Sequence, residues 1–222
     1  MPGEPWDHNG DAFLQGRRGG VTIDGISGDP AHHHLAAGEL LRAMNHALTF
    51  GTPAALEEAH QRAHEAMSTL PQLRKTGACY VAWVYLAEES ALAVRQGGDA
   101  ALIVADSEGH ARDKTSDQVR YEMPAPFERR SVPTNPVVGD QTTQPTPYLF
   151  KIQVGDTILS TSDGLLKLIP REQAAAIVAH HTLEEARDIF LRLIETSARH
   201  DDVTFTIIKV TQLPLASVPD QS

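Results

Sequence analysis

The chain of 222 residues contains a single cysteine, Cys79. No intrachain disulfide can form, and a thiolate-built zinc cluster is excluded. No apolar run reaches the ~18 residues that spanning a bilayer requires. Positive charge is in deficit: Lys+Arg total 19 against Asp+Glu 29, a formal net charge of −10. With no basic run, neither a nucleic-acid backbone nor an anionic membrane surface is expected as the main partner. The opening Met-Pro-Gly-Glu-Pro-Trp-Asp lacks the basic-then-apolar pattern of a signal peptide, so a cytoplasmic location is expected. No internal repeat is visible.

What is present reads as one domain over 1–222, with a core at about 9–210 and a short polar tail after Gln212 that is expected to fray. Two short apolar runs near residues 12–14 and 21–23 predict a strand pair joined through Gln15 to Arg18. Asp29-Pro30 resembles a helix start. Leu35, Leu40, Leu41, Met44 and Leu48 then recur at three- and four-residue spacing, which predicts a helix over 31–50. A second helix over 54–70 carries Leu56, Ala59, Ala63, Ala66 and Met67 on one side. Strands follow at 78–87, 91–95 and 100–105, with turn signals about every ten residues. The proline-rich stretch 110–146 reads as the least ordered, with 119–123 its best strand. Strands at 148–154 and 157–161, helices at 171–179 and 183–198, and a strand at 203–210 complete the pattern. Helices in two clusters around antiparallel strands indicate an α+β fold.

Four acids stand where an apolar strand meets a turn: Asn9-Gly10-Asp11, Ile23-Asp24-Gly25, Ser162-Asp163-Gly164 and His200-Asp201-Asp202-Val203-Thr204. Mg²⁺ and Mn²⁺ take oxygen ligands and use only a few carboxylates, retaining several waters. Glycine after aspartate lets the backbone approach such an ion. Asp-Gly is also a common turn pair, so any one instance reads first as a turn. It is the order and flanks of the set that suggest a metal site.

That order resembles the metal-dependent protein phosphatases of the 2C type. The similarity is greatest to the compact bacterial branch of the sporulation stage II E and sigma-factor-regulator serine phosphatases. Asn9-Gly10-Asp11-Ala12, Thr76-Gly77-Ala78, Asn135-Pro136-Val137-Val138-Gly139 and the closing Asp-Asp-Val-Thr strand carry the resemblance. Its most specific part is Gly155 to Gly164. The resemblance implies an αββα sandwich, two antiparallel sheets flanked by helical pairs. It implies two Mg²⁺ or Mn²⁺ ions at one end. Asp24 would bridge them, the Gly25 carbonyl would hold one, Asp163 and Asp201 the other, and Asp11 would contribute directly or through water. Asp202 would be a neighbour only. Asp99 matches an acid linked to a weaker third ion.

The activity implied is a phosphoserine/phosphothreonine protein phosphatase in bacterial signalling, with an ion-bridging hydroxide attacking phosphorus in line. No covalent intermediate is needed, and the Cys-x5-Arg pattern of cysteine phosphatases is absent, so Cys79 reads as an inert buried thiol. The substrate expected is a phosphorylated protein, such as an anti-sigma-antagonist-type regulator. Two features depart from the family pattern. Ile26 stands where many members have a histidine general acid, and His32-His33-His34 reads better as a solvated helix face. No arginine precedes Asp11, leaving Arg17 or Arg18 as weak phosphate-binding candidates. Two rival readings are a catalytically weak or inactive regulatory protein-binding domain and a two-metal nuclease, the latter opposed by the net charge. The sequence does not specify an oligomeric state.

Overall fold

The computed structural model describes residues 9–27, 32–125, 128–197 and 201–213. Asp29-Pro30 and the tail from 214 onward lie outside them.

A short hairpin opens the fold, β1 (Ala12–Gln15) with β2 (Gly19–Ser27). Two antiparallel helices follow, α1 (His33–Phe50) and α2 (Pro53–Thr69). Their tight connection has a physical cause at each end. Gly51 takes a left-handed conformation (φ 64°) and its N–H closes on the Ala47 carbonyl. Thr52 then caps α2, its hydroxyl accepting from Ala55 N–H, with Pro53 in the first turn. Leu40, Met44, Leu56, Ala63 and Met67 are buried, as the spacing predicts, whereas Leu35 is exposed.

The chain then forms β3 (Thr76–Leu86) and β4 (Ala91–Gly97), which pair in one sheet, and crosses to β5 (Ala101–Ala105) and β6 (Ala111–Lys114), which pair in the other, so the regular turn spacing does not produce a single meander. The stretch read as least ordered contains β6, a hairpin of β7 (Val119–Ala125) and β8 (Glu128–Pro133), and the short β9 (Val137–Val138). That hairpin is a two-stranded sheet of its own. Its prolines, Pro124 and Pro133, lie at or next to strand ends, where a missing N–H costs least.

The chain continues through β10 (Thr146–Lys151), β11 (Thr157–Thr161), α3 (Asp163–Leu168), α4 (Arg171–His180), α5 (Leu183–Thr196) and β12 (Phe205–Lys209). β10 ends earlier than its apolar pattern suggests. Asp156 turns back there, accepting from Gln153 N–H at 2.7 Å and from Arg112 through both carboxylate oxygens at 3.0 and 2.7 Å. α5 begins with a reciprocal capping box between Thr182 and Glu185.

The strands form two main antiparallel sheets. One has the order β1-β2-β3-β4-β10 with β9 also on β3, and the other β12-β11-β5-β6. Side-chain alternation along β3 divides the interior. Tyr80, Ala82 and Val84 pack with α1 and α2. Cys79, Val81 and Trp83 face the second sheet, meeting Leu102, Val104 and Ile158. Ile103, Ala105 and Leu159 pack outward on α3, α4 and α5. The result is helices, sheet, sheet, helices: the αββα sandwich. A buried contact between Thr22 and Ser160 hydroxyls, 2.7 Å, ties one sheet to the other.

Candidate metal centre

Strand register brings three corners of the chain to one end of the sandwich. Asp24 lies in β2 opposite Cys79 of β3. Asp99 occupies the corner where the chain leaves β4 in one sheet and enters β5 in the other. Asp163 follows β11, whose last residue, Thr161, pairs with Ala101. Carboxylate oxygens of Asp24, Asp99 and Asp163 all lie within 4.8 Å of one another.

Two glycines make this convergence possible. Gly98 is left-handed (φ 82°), and a Cβ there would sit 2.3 Å from the Cys79 sulfur. Only glycine lets the corner bearing Asp99 rest on β3. A Cβ at Gly164 would lie 2.3 Å from the Asp202 carbonyl oxygen, so α3 can begin against the 201–204 segment only with glycine at that position.

Ser162 joins the remaining pieces. Its hydroxyl donates to Asp11 Oδ2 at 2.7 Å and accepts from Thr204 N–H at 3.0 Å. Its own N–H donates to the Thr204 carbonyl at 2.9 Å. Asp202 Oδ2 accepts from Gly10 N–H at 2.6 Å, and Gly25 N–H donates to the Gly10 carbonyl at 3.2 Å. Asp202 therefore anchors the backbone before Asp11.

The acids destabilise one another's ionised forms. Burial, then the charges of Asp11, Asp163, Asp99 and Asp201, hold the Asp24 carboxyl well above its ordinary range. Burial raises Asp11 to about 6, with Asp202 and Asp163 adding to it against the Ser162 hydrogen bond. Burial and Asp163 raise Asp99 to about 6, while Lys167 acts the other way. Burial also pushes the Cys79 thiol well up, which agrees with an inert side chain.

Lys167, one turn along α3, contacts Asp163 Oδ2 at 2.5 Å and Asp201 Oδ2 at 2.7 Å. Burial opposes its charge, but the two carboxylates outweigh this and raise its pKa.

The sequence candidates thus separate. Asp24, Asp99 and Asp163 form the tight group, with Asp11 beside it. Asp201 reaches the group through Lys167, and Gly25 adjoins Asp24. Asp99, assigned by the resemblance to a weaker third ion, is one of the central three. Arg17 and Arg18 are not brought to the site. They lie in the β1–β2 turn beyond the Gln15–Gly20 pair, and Arg18 is six residue steps along extended chain from Asp24, roughly 20 Å. Ile26 packs against the core between the sheets and supplies no acid.

Lys167 and Ser162 are site residues that the acid pattern does not mark. The available signal was a serine cap followed by Asp163 and Lys167 at the i,i+4 spacing of a short helix.

The oxygens present fit a hard divalent cation. They are carboxylates in a half-buried pocket, and Oδ1 of both Asp11 and Asp99 is shut off from solvent with no hydrogen-bond partner among the described residues. Buried acceptors of this kind are completed by a proton or a cation.

Comparison with solved structures identifies the architecture. The serine/threonine phosphatase PstP/Ppp of Mycobacterium tuberculosis superposes with a TM-score of 0.76 at 19% identity, over 90% of this chain and 92% of that one. The fold is that of the PPM serine/threonine phosphatases. The PstP catalytic domain in complex with two manganese ions matches at TM-score 0.71 and 18% identity, covering 90% and 91% of the two chains. RsbX in complex with magnesium matches at 0.63 and 14%, covering 90% and 87%. No protein-family model and no curated sequence relative matches. At these identities the likeness to PPM phosphatases is one of fold.

Proposed function

We propose that this chain is a Mg²⁺- or Mn²⁺-dependent protein phosphatase acting on phosphoserine or phosphothreonine. The observation that carries the reading is the convergence of Asp24, Asp99 and Asp163 within 4.8 Å at one end of a PPM-type sandwich. PstP holding two manganese ions and RsbX holding magnesium supply the analogy for the cofactor.

Asp24, Asp99 and Asp163 would hold the ions, with Asp11, Asp201 and the Gly25 carbonyl as further donors. When bound, such ions acidify water and offset charge that builds on phosphoryl oxygens. The chain's own residues position this chemistry. Asp24 is centred among the other acids. Ser162 fixes the orientation of Asp11 through its hydroxyl. Asp202 holds the Gly10 backbone in place, so that Asp11 and Gly25 face the same centre. Lys167 offers positive charge at the rim. The substrate would be a phosphorylated signalling protein, such as an anti-sigma-antagonist-type regulator, met in the cytoplasm.

Manganese-dependent hydrolysis of p-nitrophenyl phosphate and of a phosphoserine peptide tests the reading. Asp24→Asn is expected to lower turnover by more than ~100-fold while leaving the circular dichroism spectrum unchanged. Absence of turnover in the wild type, with manganese affinity unaltered by Asp24→Asn, would refute it. One observation favours a second reading. The Lys167 ammonium already neutralises Asp163 and Asp201, as a catalytically weak regulatory domain could tolerate. Partner capture through the helical face, with no hydrolysis, would support that alternative.

A further inference from the structure

The contact of Lys167 with both Asp163 and Asp201 bears on how many ions the site takes. The three side chains are 38%, 17% and 44% exposed respectively, so the ammonium is only partly shielded from water. Its two oxygens belong to the residues that the family pattern assigns to one of the two ions. The tighter group of Asp24, Asp99 and Asp163 does not depend on Asp201.

We propose that the Lys167 ammonium is the resident counter-cation of the Asp163–Asp201 arm. This chain then holds one divalent ion tightly through Asp24, Asp99 and Asp163, and admits a second only by displacing Lys167. The inference rests on the metal-dependent reading above and concerns the stoichiometry of that site.

The physical argument is competition for the same oxygens. A divalent ion and an ammonium that share carboxylates repel each other, and Mg²⁺ demands close, near-octahedral oxygen contact that an adjacent Nζ obstructs. Lys167 is well suited to the exchange. Its charge is a compact point on a flexible four-carbon stem, and solvent is available at the rim to receive it. Asp163 would remain shared between the tight group and Lys167. Removing the ammonium leaves Asp163 and Asp201 uncompensated, which strengthens their call for a second ion and weakens the metal-free fold.

The test is manganese titration calorimetry on the full chain after chelator treatment, with free Mn²⁺ counted by electron paramagnetic resonance. The wild type is expected to bind one ion, with a second at least about tenfold weaker. Lys167→Met is expected to bind two ions of comparable affinity and to melt at lower temperature when metal-free. Lys167→Arg is expected to keep the wild-type stoichiometry. Lys167→Gln repeats the charge removal should the methionine variant misfold. Two equally tight ions in the wild type, or a stoichiometry and second-site affinity unmoved by Lys167→Met and Lys167→Gln, overturn the inference. With turnover intact, either result leaves the proposed function standing. No binding in any variant overturns both.

Discussion

At the scale of single residues, the acids of the site are poised against their own charge. Asp99 shows the consequence most directly, because burial and Asp163 raise it to about 6 from an ordinary 3.8. A carboxyl whose folded pKa is raised costs stability when ionised. The cost is present in full above pH 6, and it disappears as pH falls from 6 towards 4. In chelator, Asp99→Asn should therefore stabilise the metal-free protein at pH 7.5, by up to about 3 kcal/mol. The gain should shrink to nothing near pH 4. Urea melts of the two proteins across that range measure it, and a gain that grew on acidification would contradict the assigned burial. Asp24 and Asp11 follow the same sign. Cys79 takes no part, being fully buried in β3.

The element that does most for the site is α3, a helix of six residues to which the apolar pattern assigns no element. Its first residue is Asp163 and its fifth is Lys167, so one helical turn sets a candidate ligand beside an ammonium. Gly164 allows that turn to begin against the Asp202 carbonyl. Gly164→Ala is expected to destabilise the fold by about 2–3 kcal/mol, as forced overpacking of a tight contact does. It should also weaken manganese affinity, because Asp163 moves with the helix. Equilibrium unfolding and metal titration of the variant give both numbers. The longer elements were plain in the sequence for a simpler reason. α1, α2 and β3 repeat their apolar positions over several turns or pleats, and burial enforces that repeat. α3 is too short to show a period. The β7–β8 hairpin, outside both main sheets, lacks the alternation that packing on a core would impose.

For the molecule as a whole, the net charge of −10 divides into solvated surface and a few acids forced together between the sheets. Ionised and metal-free, those few oppose folding. Mn²⁺ or Mg²⁺ should therefore raise the melting temperature in a concentration-dependent way, by the mass action of a ligand bound only to the native state. At about 100 times the dissociation constant the gain is roughly 2.7 kcal/mol. Scanning calorimetry with and without chelator measures this, and an unmoved transition would exclude a divalent site of useful affinity. Asp156, in contrast, is a fully buried acid with its own partner, Arg112, and should not respond to metal.

The sequence by itself determined the α+β class, since the periodicity and order of helices and strands are enforced by burial; the αββα sandwich came from the family resemblance and is borne out by the two sheets. Through acids placed where an apolar strand meets a turn it also marked Asp11, Asp24, Asp163 and Asp201 as candidates for one chemistry. Tertiary structure alone decided which acids share a centre. Asp99 joins Asp24 and Asp163 because the chain crosses between sheets at Gly98, and Arg17 and Arg18 are excluded because their turn lies at the far end of β1 and β2. Lys167 enters because a helical turn aims it back at Asp163 while β12 delivers Asp201 from the other side. Proximity across a sandwich depends on strand register and on corners where only glycine fits. Neither leaves a periodic trace along the chain.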